Sequence, residues 1–134
     1  MDPNTRTVSA SRTKIWAGRI ISALPALFLL VDGAMKLVKP PIVVESTIQL
    51  GYSESVILGL GIVLIASTIL YLIPRTSVLG AILLTGYLGG ATATHVRVGG
   101  PLFSIVFPVI FGALIWLGLY LRDDRLRALI PLRS

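Results

Sequence analysis

The chain has 134 residues, 54% of them hydrophobic and 13% charged, with a mean hydropathy of +0.88 and a formal net charge of +6. A soluble domain carries about 25% charged residues, so this composition points to an integral membrane protein whose first partner is the lipid bilayer. The absence of cysteine excludes disulfides, thiolate metal sites and thiol relays, and basic residues that flank apolar stretches without interleaved aromatics exclude nucleic acid as a partner.

Residues 1–13, MDPNTRTVSASRT, are polar and aperiodic, and are expected to form a disordered cytoplasmic N-terminus. Residues 14–134 are expected to form a single domain with four spans, at about residues 15–38, 54–73, 77–95 and 101–121, each near the length that crosses about 30 Å of hydrocarbon. The first span is interrupted by two charges, Asp32 and Lys36, in LFLLVDGAMKLVKPP. Counted from Arg19, Asp32 lies about 20 Å along the helix, still within the apolar layer, where a charge is costly unless it faces a protein interior or a water-filled space. Two readings stay open for the pair: a structural ion pair at i and i+4, or a cavity residue tuned by its neighbour.

After Pro40-Pro41 the segment IVVESTIQLG predicts a short helix ended by Gly51, with Val44 and Ile48 on its apolar side, laid over the extracytoplasmic mouth as a lid that carries Glu45. The second span stops at Pro74, and Ser77 is placed to cap the third. That third span carries a row of small residues at spacing four, Ala81, Thr85, Gly89 and Ala93, with a Gly86/Gly90 pair beside it. The row is expected to pack a neighbouring helix, within the bundle or across a homodimer seam. The same span carries Tyr87, Thr92 and His95 towards the end where Asp32 lies, with Arg97 beyond. Gly100-Pro101 opens the fourth span. The tail RDDRLRALIPL sets Leu126, Leu129 and Ile130 at helical spacing beside arginines, as an amphipathic cytoplasmic C-terminal helix on an anionic leaflet would.

Nine of the twelve basic residues fall on the side that holds both termini, which assigns that side to the cytoplasm. The expected fold is therefore all-α, an integral membrane four-helix bundle with an extracytoplasmic lid helix. Asp32, Lys36, Glu45, Tyr87, Thr92, His95 and Arg97 converge on its outer end and form the candidate ligand-binding set. One histidine cannot supply paired axial haem ligands, and no spacing suggests a metal. No catalytic residue can be assigned from this pattern.

The order VDGAMKLV, QLGYSES, LYLIPRTSVLGAILLTGYLGGATATHVRVGGPLFS and GLYLRDDRLRALIPL resembles the DoxX-like family of small four-span bacterial membrane proteins. The resemblance implies a multi-pass protein of the bacterial cytoplasmic (inner) membrane, associated with a redox system, with quinone as a ligand and a redox enzyme as a partner. Three functions follow from residues and resemblance together. The first is a redox-associated subunit or binder of a small apolar ligand, quinone or lipid. The second is a membrane enzyme using Asp32 or His95 as acid or base. The third is a structural or chaperone-like partner that acts through helix packing. A transporter is disfavoured because four spans without an inverted repeat leave little machinery for alternating access.

Overall fold

The computed structural model describes residues 3–129 and is all-helical over them. The elements are α1 (Pro3–Val38), α2 (Pro41–Gln49), α3 (Ile57–Leu72), α4 (Ser77–Arg97), α5 (Leu102–Arg122) and α6 (Asp124–Leu129), with single 3-10 turns at Glu54–Val56 and Pro74–Thr76. Four stretches are long and apolar enough to cross a membrane: Arg12–Val38, Glu54–Leu72, Pro74–Arg97 and Leu102–Arg122. Helix α1 begins at Pro3 and takes in residues 3–13, whose polar, aperiodic composition leads one to expect a disordered N-terminus. Ile130 lies outside the described residues.

The four long helices form a ring in which α1 packs against α3 and α5, and α4 also packs against α3 and α5. Helices α1 and α4 are thus diagonal. Short connections force this arrangement, since chain neighbours α3, α4 and α5 must run antiparallel side by side. The spans are apolar all round, as helices with a core on one side and lipid on the other must be. Leu64, Tyr71, Ala81, Leu84 and Ile115 are fully buried, while Leu24, Leu27, Ile62, Val63 and Ile82 face outward.

Close backbone approach in the ring depends on single glycines. A β-carbon on Gly18 would lie 2.7 Å from the Gly118 carbonyl, which fixes the crossing of α1 and α5. One on Gly61 would lie 2.9 Å from the Gly33 carbonyl, which fixes α1 on α3. Gly80 meets the Tyr71 backbone in the same way where α3 turns into α4. Such contacts supply the dispersion that holds helices together in lipid, where no hydrophobic force separates one apolar face from another.

The small-residue row of α4 does not act as expected within the bundle. Ala81 is buried, and Thr85 accepts a hydrogen bond of 2.7 Å from Trp116 Nε1 on α5. Gly86, Gly89 and Gly90, however, have open space where a β-carbon would stand, and Ala93 is exposed. Gly86 and Gly90 face a cavity that stands between α4 and the diagonal α1, whereas Gly89 and Ala93 lie outside its lining and are exposed.

At the end of the bundle opposite Asp32, one cation ties the ring together. Arg122 on α5 donates from Nε to Ser22 Oγ on α1 at 3.1 Å, from Nη2 to the Tyr71 carbonyl on α3 at 3.2 Å, and from Nη1 to Ser77 Oγ on α4 at 3.4 Å. Its guanidinium stands 4.8 Å from the centre of the Tyr71 ring, and the Tyr71 hydroxyl lies 2.9 Å from Ser22 Oγ and donates to the Ile115 carbonyl at 2.7 Å. Ser77 does not cap α4. Its hydroxyl donates to the carbonyls of Tyr71 and Ile73, which the end of α3 leaves without helical partners.

The tail also departs from a helix lying on a leaflet. Asp123 caps α6 by accepting from the amides of Arg125 (2.9 Å) and Leu126 (3.3 Å). Arg127 donates to the carbonyls of Tyr120 and Leu121 and pairs with Asp124. Leu126 is thereby folded into the core, whereas Leu129 remains exposed.

Candidate functional site

At the Asp32 end the ring is hollow. A cavity of ≈ 600 Å³ opens between α1 and α4, floored by Leu29, Leu60 and Leu88, walled by Phe28, Phe107 and Phe111, and roofed by α2. Gly86 and Gly90 belong to its lining. On a helix facing a cavity, two glycines at spacing four remove the side chains that would otherwise fill it. A pocket of this size suits one drug-sized ligand.

Asp32 and Lys36 stand on its α1 side. Lys36 Nζ donates to Asp32 Oδ2 at 2.8 Å, with the lysine side chain 14% exposed and the aspartate 40%. The acid-first i, i+4 order places the two one above the other on one helical face. Gly33, between them, lets α3 come close enough that Lys36 packs its stem on Gly61. The charges that interrupt the first span are therefore a formed ion pair at the wall of a cavity.

Helix α4 brings Tyr87 and His95 to the same space. Neither the Tyr87 hydroxyl nor the His95 ring forms a hydrogen bond among the described residues, and both remain accessible from the cavity. Four of the seven residues proposed from the sequence, Asp32, Lys36, Tyr87 and His95, thus share one chamber. The other three do not. Glu45 is exposed on α2, and Thr92 donates to the Ile105 carbonyl of α5 at 3.3 Å, fastening α4 to α5.

Arg97 acts on the lid. Its Nη2 donates to the Leu50 carbonyl at 2.8 Å, reaching from the end of α4 to the end of α2. Gly51, with φ of +95°, makes the turn there, and a β-carbon on it would collide with the Arg97 guanidinium. Tyr52 adds a second tie through a 2.8 Å hydrogen bond to Thr94 Oγ1. At the other end of the lid, Lys39 takes a left-handed φ of 57° and closes α1 by donating its amide to Met35. The face that α2 turns inward carries Val43 and Thr47, not Val44 and Ile48. Fixed by Pro40 at one end and Arg97 at the other, the lid is rotated by about one residue, or about 100°, from the expected face.

Sequence reasoning also missed the aromatic wall. Phe28 packs edge-on against Phe107 (5.6 Å between ring centres) and Phe111 (4.8 Å), and Phe103 and Phe111 flank Phe107 at 5.3 and 4.6 Å. The i, i+4, i+8 spacing of Phe103, Phe107 and Phe111 was the available signal.

A protein-family model described as the DoxX-like family matches residues 20–118, the stretch from the first span to the Gly118 crossing. No curated protein and no solved structure matches the chain.

Proposed function

Because the chain belongs to the DoxX-like family, we propose that it is a membrane-embedded binder of a small apolar molecule with a polar head, of quinone or lipid type. The observation that carries this reading is the ≈ 600 Å³ cavity, largely apolar, in which Tyr87 and His95 have no hydrogen-bond partner among the described residues. In an apolar setting, a hydroxyl and an imidazole free to bond a ligand give orientation and selectivity. The Asp32–Lys36 pair would set the local field and bond the same head group, while the phenylalanine wall would hold the tail.

The enzyme reading is weaker. Asp32, its principal acid or base, already accepts from the Lys36 ammonium, and among the described residues no polar group bonds the His95 ring to orient it for proton transfer. Among the described residues, eight of the eleven basic positions lie towards the Arg122 end, so the cavity is assigned to the extracytoplasmic side of a bacterial inner membrane. Periplasmic signals from reporter fusions at both termini would reverse that assignment.

Native mass spectrometry of protein purified in mild detergent tests the function. The wild type should carry a lipophilic adduct, and chromatography of its organic extract separates quinone from lipid. Gly90→Leu, which fills open space, should fold and lose the adduct. A wild type without any adduct, or an adduct retained in Gly90→Leu, would defeat the reading.

A further inference from the structure

The cavity must be reached, and its boundaries differ in kind. Near the Asp32 end, the α1/α3 seam is closed by backbone contact at Gly33 and Gly61. Tyr52, in the turn that precedes α3, bonds Thr94 of α4, and Thr92 ties α4 to the Ile105 carbonyl of α5. The lid is held by Arg97 on the Leu50 carbonyl. The α1/α5 seam is closed at this level by side-chain rings, those of Phe28, Phe107 and Phe111.

Phe28 belongs to the cavity lining and is 48% exposed. On this side the rings of Phe28, Phe107 and Phe111 stand between the chamber and the hydrocarbon. The two helices are fixed to each other at the opposite end, through Gly18, Gly118 and Ser22. Each carries a buried proline between that anchorage and the outer end, Pro25 in α1 and Pro108 in α5. A proline inside a helix removes one backbone hydrogen bond and eases bending there. Anchored below and softened above, the seam can part at Phe28 without disturbing the rest of the ring.

From these observations, and resting on the ligand-binding reading above, we infer that Phe28 and Phe107 form a lateral portal between α1 and α5, open to the bilayer. The ligand class follows from it. A cavity of ≈ 600 Å³ encloses a drug-sized body but not a full lipid-length chain, so the head enters the chamber and the tail remains in the membrane between the phenylalanines. The ligand is a tailed lipophile drawn from the bilayer, and not a solute arriving through the lid.

The chain has no cysteine, so Ala91→Cys would place a single thiol in the cavity lining, on the helix diagonal to α1. In phosphatidylcholine vesicles this thiol is offered a dodecyl maleimide, dissolved in the bilayer, or a sulfonated maleimide, confined to water. Each rate is divided by that reagent's rate on the same protein unfolded in dodecyl sulfate. The tailed reagent should react about tenfold faster on this scale. Adding Phe28→Trp should slow it and Phe28→Ala should speed it, while Arg97→Ala should accelerate only the sulfonated reagent. Faster reaction with the sulfonated reagent, or a tailed-reagent rate insensitive to both Phe28 changes, would overturn the portal and leave the cavity standing. A thiol that neither reagent reaches would overturn both.

Discussion

Gly118→Ala and Gly90→Ala are the same chemical change on two spanning helices, yet the structure requires opposite signs. In both, replacing glycine inside a helix gains about 0.5–1 kcal/mol by restricting the unfolded backbone. At Gly90 the new methyl group enters open space, so the gain should be kept. At Gly118 it would stand 2.9 Å from the Ser22 amide and 3.1 Å from the Gly18 carbonyl, and would press on the Ser22 hydroxyl as well. Two of these three contacts are backbone, so α1 has to retreat. Overpacking of this kind costs about 1–3 kcal/mol, and displacing Ser22 weakens its bonds to Arg122 and Tyr71, at about 1 kcal/mol each. Gly118→Ala should therefore be less stable than wild type by roughly 1–3 kcal/mol after the backbone gain is deducted. Reversible unfolding in mixed micelles, titrating dodecyl sulfate against a mild detergent, measures both variants on one scale. If the two variants shift in the same direction, the assignment of Gly118 as a crossing point and Gly90 as a cavity wall is wrong.

Asp32→Asn should destabilise the bundle by about 1–2 kcal/mol, between the values for exposed and buried ion pairs, because it strands the largely buried Lys36 ammonium. In the same titration, adding Lys36→Met should restore at least half of that loss, and a double variant as weak as the sum of two independent losses would contradict the pairing. Arg97→Ala removes the bond to the Leu50 carbonyl, so hydrogen exchange of the Pro41–Gln49 amides should accelerate while the α5 amides stay protected. Uniform acceleration would mean that Arg97 holds the whole fold. Tyr87→Phe deletes a hydroxyl with no hydrogen-bond partner among the described residues, so stability should be unchanged while adduct occupancy in native mass spectra falls about fivefold, the equivalent of one hydrogen bond of about 1 kcal/mol. Lost stability with unchanged occupancy would make Tyr87 a packing residue.

The number and kind of elements could be read from the sequence because lipid imposes a length and an apolar composition on every span. The Asp32–Lys36 pair was equally legible, since i, i+4 geometry is local. Partnership between helices was not. Spacing shows that Gly86 and Gly90 share a face, but not whether that face meets a helix or a cavity. The glycines that do touch backbone, Gly18, Gly33, Gly61, Gly80 and Gly118, are not paired with another glycine at spacing four. The Arg122 network was hidden for a similar reason. Arg122 reads as the charged end of a span, and its partners Ser22, Tyr71 and Ser77 lie 45 to 100 residues away in sequence. A serine and a tyrosine inside apolar spans were the only hint.

Arg122 also gives the bundle an order of assembly. The chain is made from its N-terminus, so Ser22, Tyr71 and Ser77 are already in place when the residue that joins them is the last of the fourth span to be added. Until then the carbonyl of Tyr71 and the hydroxyls of Ser22 and Ser77 wait at one surface of the membrane without their cation. Three inserted spans without the fourth therefore lack the residue that bonds to all of them at this surface, and the ring is fastened there only when the end of α5 arrives.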